Sequence, residues 1–386
     1  MSIATRTRVP TARSLPMLDL RREYQHMKDA IDARIAAALD HQTWIMGPEV
    51  KELEKRVAGF IGTAHAVGCA SGTDALVLAL RALCLKLRGE EFFNREDEVI
   101  TTAFTFAATG DAIIRAGATP VFVDIDPTTF NIDPGKVAAA FTPRTVGIVP
   151  VHLYGRACPM PELKALADRQ RLFIVEDCAQ SFGAEVGGRR CGDWGDAGAF
   201  SFFPSKNLGG FGDGGMVTTG DRELAGFVDV LRRHGGRDKY NVELLGYNSR
   251  LDTLQAAVLL AKFDYIEDFN RRRQAIARRY TEELTGVRGI TAPPVVADSS
   301  HVFHQFTIRH PDRDRLAAAL GSRGIATMVY YPVPLHGMKV FSERCLPGGP
   351  LTESERAAAQ VLSLPVEPLL EPDEIDRVVA AVRECA

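Results

Sequence analysis

Between residues 98 and 177, short β-branched runs alternate with helical segments, and that alternation admits few folds. Strands are expected at Glu98–Thr102, Pro120–Asp124, Thr145–Val151 and Leu172–Asp177, with helices at 108–116, 134–141 and 160–169. Parallel strands need a crossover connection, usually a helix, so the pattern predicts an α/β fold with a mostly parallel sheet flanked by helices. Ligands in such sheets bind beyond the carboxyl ends of the strands, so the residues just past each run are the candidates for chemistry.

The chain has 386 residues, more than one hydrophobic core usually organises. Helices are expected from Leu18 to Ala38 and from Glu49 to Ile61, the second stopped by Gly62, with Trp44–Pro48 as a loop between them. Residues 66–81 read as a short strand running into an Ala/Leu-rich helix. The charged stretch 85–97 reads as a surface connection. From Arg250 one apolar stripe (Leu251, Leu254, Val258, Ala261, Tyr265, Phe269) predicts a long helix that extends to Tyr280. After about residue 270 the pattern changes to strand 302–308, helix 312–322, strand 326–331 and helices near 352–361 and 372–383. The expected division is an N-terminal extension over 1–16, a large α/β domain over 17–270 and a smaller C-terminal α+β domain over 271–386.

A net charge of −3 and a pI near 6.3 give no electrostatic footprint for nucleic acid, and no apolar run reaches the length of a membrane span. Seven scattered cysteines without C-x-x-C spacing suggest a reduced, cytoplasmic protein. The histidines form no ligand pattern, so no metal is expected.

Four features fall at ligand-facing ends. Ser71, Gly72 and Thr73 open the helix after the first strand, where free backbone N–H groups and the helix dipole suit a phosphate, although simple N-capping explains the same residues. Phe106 comes after strand 98–102 and can either stack on a planar ligand or pack in the core. Asp177 ends strand 172–177, facing the crevice while Glu176 points to the opposite face. It is a natural partner for a pyridine nitrogen, or an N-cap for a helix beginning at Cys178. Lys206 sits between an apolar strand and a glycine-rich loop. Partial desolvation there favours a neutral amine for Schiff-base chemistry, the alternative being one solvated lysine among many. Gly210–Gly215 fits G-x-G-x-x-G, but a β-rich run (Met216–Thr219) stands where the dinucleotide fingerprint needs a helix. A nicotinamide oxidoreductase is therefore disfavoured, and the glycines read as room for close backbone passage. A non-catalytic binding protein would have no need of both Lys206 and Asp177.

The segments Ala70–Leu76, Pro120–Asp126, Pro150–Gly155, Val175–Gln180, Phe200–Gly209 and Asn248–Asp252 resemble the DegT/DnrJ/EryC1/StrS family of sugar aminotransferases over nearly the whole chain from about residue 17. The resemblance implies the aspartate-aminotransferase fold (fold type I), pyridoxal 5'-phosphate as cofactor and a homodimer with active sites at the subunit interface. It implies Lys206 as Schiff-base lysine and proton shuttle, Asp177 as partner of the pyridine nitrogen, Gln180 beside the ring hydroxyl and Phe106 as the stacking aromatic. Ser71, Gly72, Thr73 and Ser201 are implied as phosphate contacts, joined by Asn248 from the other subunit. Arg250, Tyr331 and His336 fall where the family handles substrate. The implied reaction moves an amino group from an amino acid, glutamate in most of the family, to a nucleotide-linked keto sugar. Lys206-Asn207-Leu208-Gly209-Gly210 and Gly212-Asp213-Gly214-Gly215 are more similar to the branch that aminates C3 than to the C4 branch. An aminocyclitol or amino-aromatic synthase of the same family would keep the same cofactor residues. The 85–97 stretch is longer than the turn usual there.

Overall fold

A computed structural model of the chain describes residues 14–238, 240–294 and 299–386. Its centre is an eight-stranded sheet with the spatial order His65–Cys69, Gly215–Thr219, Ala197–Ser201, Phe173–Asp177, Thr145–Val149, Glu98–Thr102, Thr119–Val123 and Leu346–Pro347. Only Gly215–Thr219 runs antiparallel to its neighbours; every other pairing is parallel. The central strands are buried along their lengths, as expected where helices cover both faces. The helix Gly72–Arg88 packs on one face, burying an unbroken run from Ala75 to Leu85. A second cluster on the other face joins Val50, Leu53 and Val57 to Phe182, Phe200, Phe202 and Leu259.

The C-terminal part has its own core. Phe306–Arg309 pairs antiparallel with Val361–Leu364, and against these two strands pack Ile276 and Tyr280 of helix Ile266–Leu284, Leu316 and Leu320 of Arg313–Ser322, and Val378 and Val382 of Pro372–Cys385. Leu15 is buried in the same cluster and bridges Ile325, whereas residues 1–13 of the expected extension lie outside the described residues.

Several local expectations differ from the structure. The long helix from Arg250 is two helices, Thr253–Phe263 and Ile266–Leu284. Asp264 and Tyr265 keep near-helical backbone angles, so the apolar stripe runs through the break unaltered. Val361–Leu364 is a strand rather than the tail of a helix, because the chain turns from Gln360 into it with no glycine or proline to mark the change. Segment 326–331 is not a strand: it touches Val361–Leu364 only at the Met328–Ser363 bridge. The predicted strand 302–308 begins only at Phe306.

The stretch 85–97 differs as well. Its first residues complete the helix, which Gly89 ends in a left-handed conformation, and the remainder is fastened down by Arg81. Arg81 is fully buried. Its Nη1 donates to the Tyr247 hydroxyl (2.9 Å), and its Nη2 donates to Leu245 O (2.9 Å) and Glu91 Oε2 (3.2 Å). Its Nε donates to Glu91 O, and the guanidinium lies 3.6 Å from the Phe92 ring centroid. Glu91 Oε2 also accepts from Leu245 N at 2.7 Å, so the segment is tied to the 244–247 loop. Arg81→Ala strips all of these donors from a buried site and should cost about 3–5 kcal/mol; urea unfolding is the measurement, and a loss below ~1 kcal/mol would contradict the fastening role.

Candidate active site

The carboxyl ends of the sheet strands converge on a cavity of about 430 Å³ whose wall includes Ser71, Gly72, Thr73, Phe106, Asp177, Gln180, Ser201, Lys206 and Tyr331. Sequence order separates these residues widely, and the parallel sheet brings them together. Asn248, Arg250 and His336 do not line the cavity. Asn248 is exposed and bridges Arg233 through its backbone, Arg250 is partly buried, and His336 Nε2 lies 3.2 Å from Glu355 Oε1.

At the phosphate end, the Ser71 side chain caps the helix by accepting from Asp74 N (3.1 Å). Capping and anion binding are compatible here, because the first-turn amides of Gly72 and Thr73 have no intrahelical acceptor. Gly72 is needed for close approach: a Cβ there would lie 2.5 Å from Ser201 Cβ and fill the space between helix end and strand end. Gly215 serves similarly, since its Cβ would run into the Ser71 carbonyl. The glycine-rich loop is pinned from below by Lys262, whose Nζ donates to Gly209 O (2.6 Å) and pairs with Glu23.

Asp177 is almost fully buried. Thr109 Oγ1 donates to its Oδ2 (2.8 Å) and Ala179 N to its Oδ1 (3.2 Å). Burial still pushes its carboxyl pKa above the usual carboxylate value, opposed by those hydrogen bonds and by the charge of Lys206. Glu176, on the other face of the strand, is wholly buried and accepts from Gly192 N, Trp194 N and Gly195 N while pairing with His152 Nε2 (2.9 Å). His152, Glu176 and Cys178 stand close enough to hold a metal, but these hydrogen bonds already occupy the Glu176 oxygens and His152 Nε2. Its Nδ1 accepts from Cys158 N (2.9 Å).

Lys206 lines the open cavity, so its side chain is only partly buried, while the protein packed around its amine lowers the pKa to about 8 against the pull of Asp177. The two groups therefore perturb in opposite senses, a pattern that marks catalytic clefts. Gln180 is fixed in orientation: its Oε1 accepts from Tyr154 N (2.6 Å), leaving Nε2 to donate to the Tyr331 hydroxyl (3.0 Å). Phe106 caps the helix Ala107–Arg115 and is 58% exposed, its ring tilted against Tyr331 at 6.0 Å, so its face is open to a planar ligand.

Thr105, Thr109, His304 and Gln305 belong to the site and carry no mark in the sequence as strong as the residues named above. Thr109 had a local signal, one helical turn after Phe106. His304 had none. Asn207 Nδ2 donates to Val302 O (3.1 Å) and Asn270 Oδ1 (2.8 Å), so Asn207 Oδ1 accepts from His304 Nδ1 (3.2 Å). Burial and the Lys206 charge hold His304 neutral, its pKa well below the usual histidine value.

The residues fit pyridoxal phosphate: an amide-lined turn for the phosphate, an exposed phenyl for the ring face, a buried carboxylate for the ring nitrogen and an amine of lowered pKa for the aldehyde. Comparison with known proteins agrees. The chain is 46% identical over 373 residues to a pleiotropic regulatory protein of Geobacillus stearothermophilus (96% of this chain, 98% of the relative). It is 45% identical over 370 residues to the UDP-N-acetyl-3-dehydro-α-D-glucosamine 3-aminotransferase of Acidithiobacillus ferrooxidans (96% and 97%). It is also 45% identical over 372 residues to the dTDP-3-amino-3,4,6-trideoxy-α-D-glucose transaminase of Streptomyces venezuelae (96% and 96%). The structure superposes on that of S. venezuelae DesV in complex with a ketimine intermediate with a TM-score of 0.92 at 45% identity, covering 97% of this chain and 98% of that one. Residues 25–383 match the model of a family whose members depend on pyridoxal phosphate. The chain belongs to the DegT/DnrJ/EryC1/StrS aminotransferase family.

Proposed function

We infer that the protein is a pyridoxal-phosphate-dependent aminotransferase that carries an amino group from an amino acid, L-glutamate in the first instance, to C3 of a nucleotide-linked keto sugar. The observation that carries this reading is the single cavity joining Lys206, Asp177 and the Gly72–Ser201 cradle. When bound, the coenzyme supplies an aldehyde to receive the amine and a ring that withdraws the electron pair left at the donor's Cα.

The chain's own residues do the rest. Gly72, Thr73 and Ser201 hold the phosphate, and Phe106 covers the ring. Asp177, ionised, keeps a proton on the ring nitrogen, and Gln180 directs its amide N–H groups toward the ring hydroxyl. Lys206 Nζ, neutral in a useful fraction near pH 8, takes the proton from the donor's Cα and delivers it to the coenzyme carbon. Tyr331, Arg250 and His336 are assigned to the sugar side.

A homodimer completes the site in this reading. Asn248 is exposed and absent from its own cavity wall, which supports its contribution to the partner's phosphate site. Trp44, Ile45, Phe203 and Phe211 are large exposed apolar side chains, and Phe203 stands in the cavity wall, where a second subunit would cover it. All seven cysteines are free, which supports a cytoplasmic setting, and no described helix is long and apolar enough to cross a membrane.

The C3 assignment rests on the names borne by the relatives from A. ferrooxidans and S. venezuelae and on the Lys206–Gly215 loop. Incubation of the holoenzyme and glutamate with UDP- and dTDP-linked 3-keto and 4-keto sugars, with the products weighed by mass spectrometry, tests it. Amination of 3-keto sugars is expected; turnover confined to 4-keto sugars, or to no nucleotide sugar at all, overturns it.

A further inference from the structure

The Asp177 carboxylate stands at the end of a chain of two hydroxyls that the amino-transfer reading leaves unused. Thr109 Oγ1 lies 2.8 Å from Asp177 Oδ2, and Thr105 Oγ1 lies 3.2 Å from Thr109 Oγ1. All three side chains are at least 95% buried (Thr105 2%, Thr109 1% and Asp177 5% exposed). An ionised carboxylate only accepts, so Thr109 must donate to it. Thr109 has then spent its one proton, and its free lone pair accepts from Thr105. The direction of the chain is thereby fixed, from Thr105 in the cavity wall to the carboxylate.

Thr109 lies in the first turn of the helix Ala107–Arg115, whose N-cap is Phe106. The same short helix therefore carries the aromatic that faces the ring and the hydroxyl that grips the carboxylate, and its positive end adds to the attraction for the Asp177 charge. Ala179 N, on the other oxygen, is the remaining hydrogen-bond donor to the carboxylate among the described residues. The other titratable groups facing Asp177 are Lys206 and His152, whose charges favour its ionised form, and Tyr331, which the carboxylate's charge keeps protonated.

We propose that Thr109, oriented by Thr105, is a positioning residue that keeps Asp177 ionised and thereby sets the proton on the nitrogen of the bound coenzyme ring. Without that donor, the buried carboxylate retains one fixed hydrogen bond and takes the shared proton for itself. The ring is then neutral and withdraws electrons poorly. The inference rests on the reading of Asp177 as the ring-nitrogen partner.

Thr109→Val keeps the shape and removes the donor; Thr109→Ser restores the hydroxyl. Both variants and the wild type are loaded with pyridoxal phosphate labelled with ¹⁵N in the ring, and the nitrogen signal is read at neutral pH together with kcat and KM for glutamate. In the valine variant the signal is expected to move toward the unprotonated-ring position, and kcat to fall about tenfold with KM little changed, the loss of one charge-assisted hydrogen bond. The serine variant should match the wild type. A folded valine variant, checked by near-UV circular dichroism, with an unshifted signal and unchanged kcat overturns the role of Thr109. A valine variant that does not fold moves the question to Thr105→Val, where a smaller shift in the same direction is expected and none overturns the chain. A wild type that takes up no pyridoxal phosphate, or whose ring nitrogen is unprotonated, overturns instead the reading on which the inference rests.

Discussion

Lys206→Ala is expected to lower kcat for amino transfer by ~10⁴-fold or more while the protein stays folded. No other amine lines the cavity among the described residues, so no neighbour can take over the proton transfer. Burial sets the Lys206 pKa at about 8 where an ordinary lysine has 10.5. At pH 7 about a tenth of the amine is then neutral, several hundred times the fraction of an ordinary lysine. Capture of pyridoxal phosphate by the apo protein should accordingly speed up as pH rises and level off above pH 8. Borohydride reduction of the loaded protein should leave the coenzyme's mass on the peptide carrying Lys206. The same number gives the sign for stability. A lysine whose folded pKa lies below its unfolded value costs the folded state stability at pH 7, and the penalty fades as pH rises from 8 toward 10.5. Alanine removes that penalty, so the variant's melting temperature at pH 7 should not fall. A coenzyme label on another residue, or near-normal turnover by the variant, would remove the basis of the proposed chemistry.

The large α/β layer was legible because its signal is local. Each run such as Phe173–Asp177 carries its own β-branched residues, and each intervening helix its own period. The same locality exposed Lys206, Asp177, Gly72 and Phe106, since a residue at the end of a strand lies at the ligand face by geometry alone. The features that stayed hidden depend on partners remote in sequence. Thr109 meets Asp177 across 68 positions, and His304 meets Asn207 across 97. Neither residue type carries information about such a partner until the sheet has assembled. The Val361–Leu364 strand is a strand because Phe306–Arg309 stands beside it, and the break after Phe263 leaves the helical period intact. Segment 85–97 looked like solvent-facing charge, yet Glu91 and Phe92 are held by Arg81, a side chain buried ten residues upstream in the preceding helix.

Asp177→Asn should cut kcat on the order of 10³-fold, the scale seen when one preorganised electrostatic group is removed, and it should do so without weakening the apo fold. The substitution keeps the side-chain shape, and the amide oxygen can still accept from Thr109. What disappears is the charge that holds a proton on the ring nitrogen. That charge is costly to the empty protein. Burial raises the folded pKa of Asp177 above its unfolded value, so its ionisation subtracts stability as pH rises through that interval and continues to do so at neutral pH. Asparagine carries no such penalty, and the apo variant should melt at or above the wild-type temperature. Saturating pyridoxal phosphate reverses the order. The wild type gains stability in proportion to the logarithm of ligand over Kd, while the variant binds more weakly and gains less. Melting curves with and without coenzyme separate the two accounts of this residue. A merely structural aspartate would lose stability in the empty protein when replaced and leave the coenzyme's effect unchanged. A functional one leaves the empty protein intact and loses the response to the coenzyme. The charge therefore belongs to the bound state, and its burial is tolerated in the free one because Thr109 and Ala179 N satisfy the oxygens until a ring arrives.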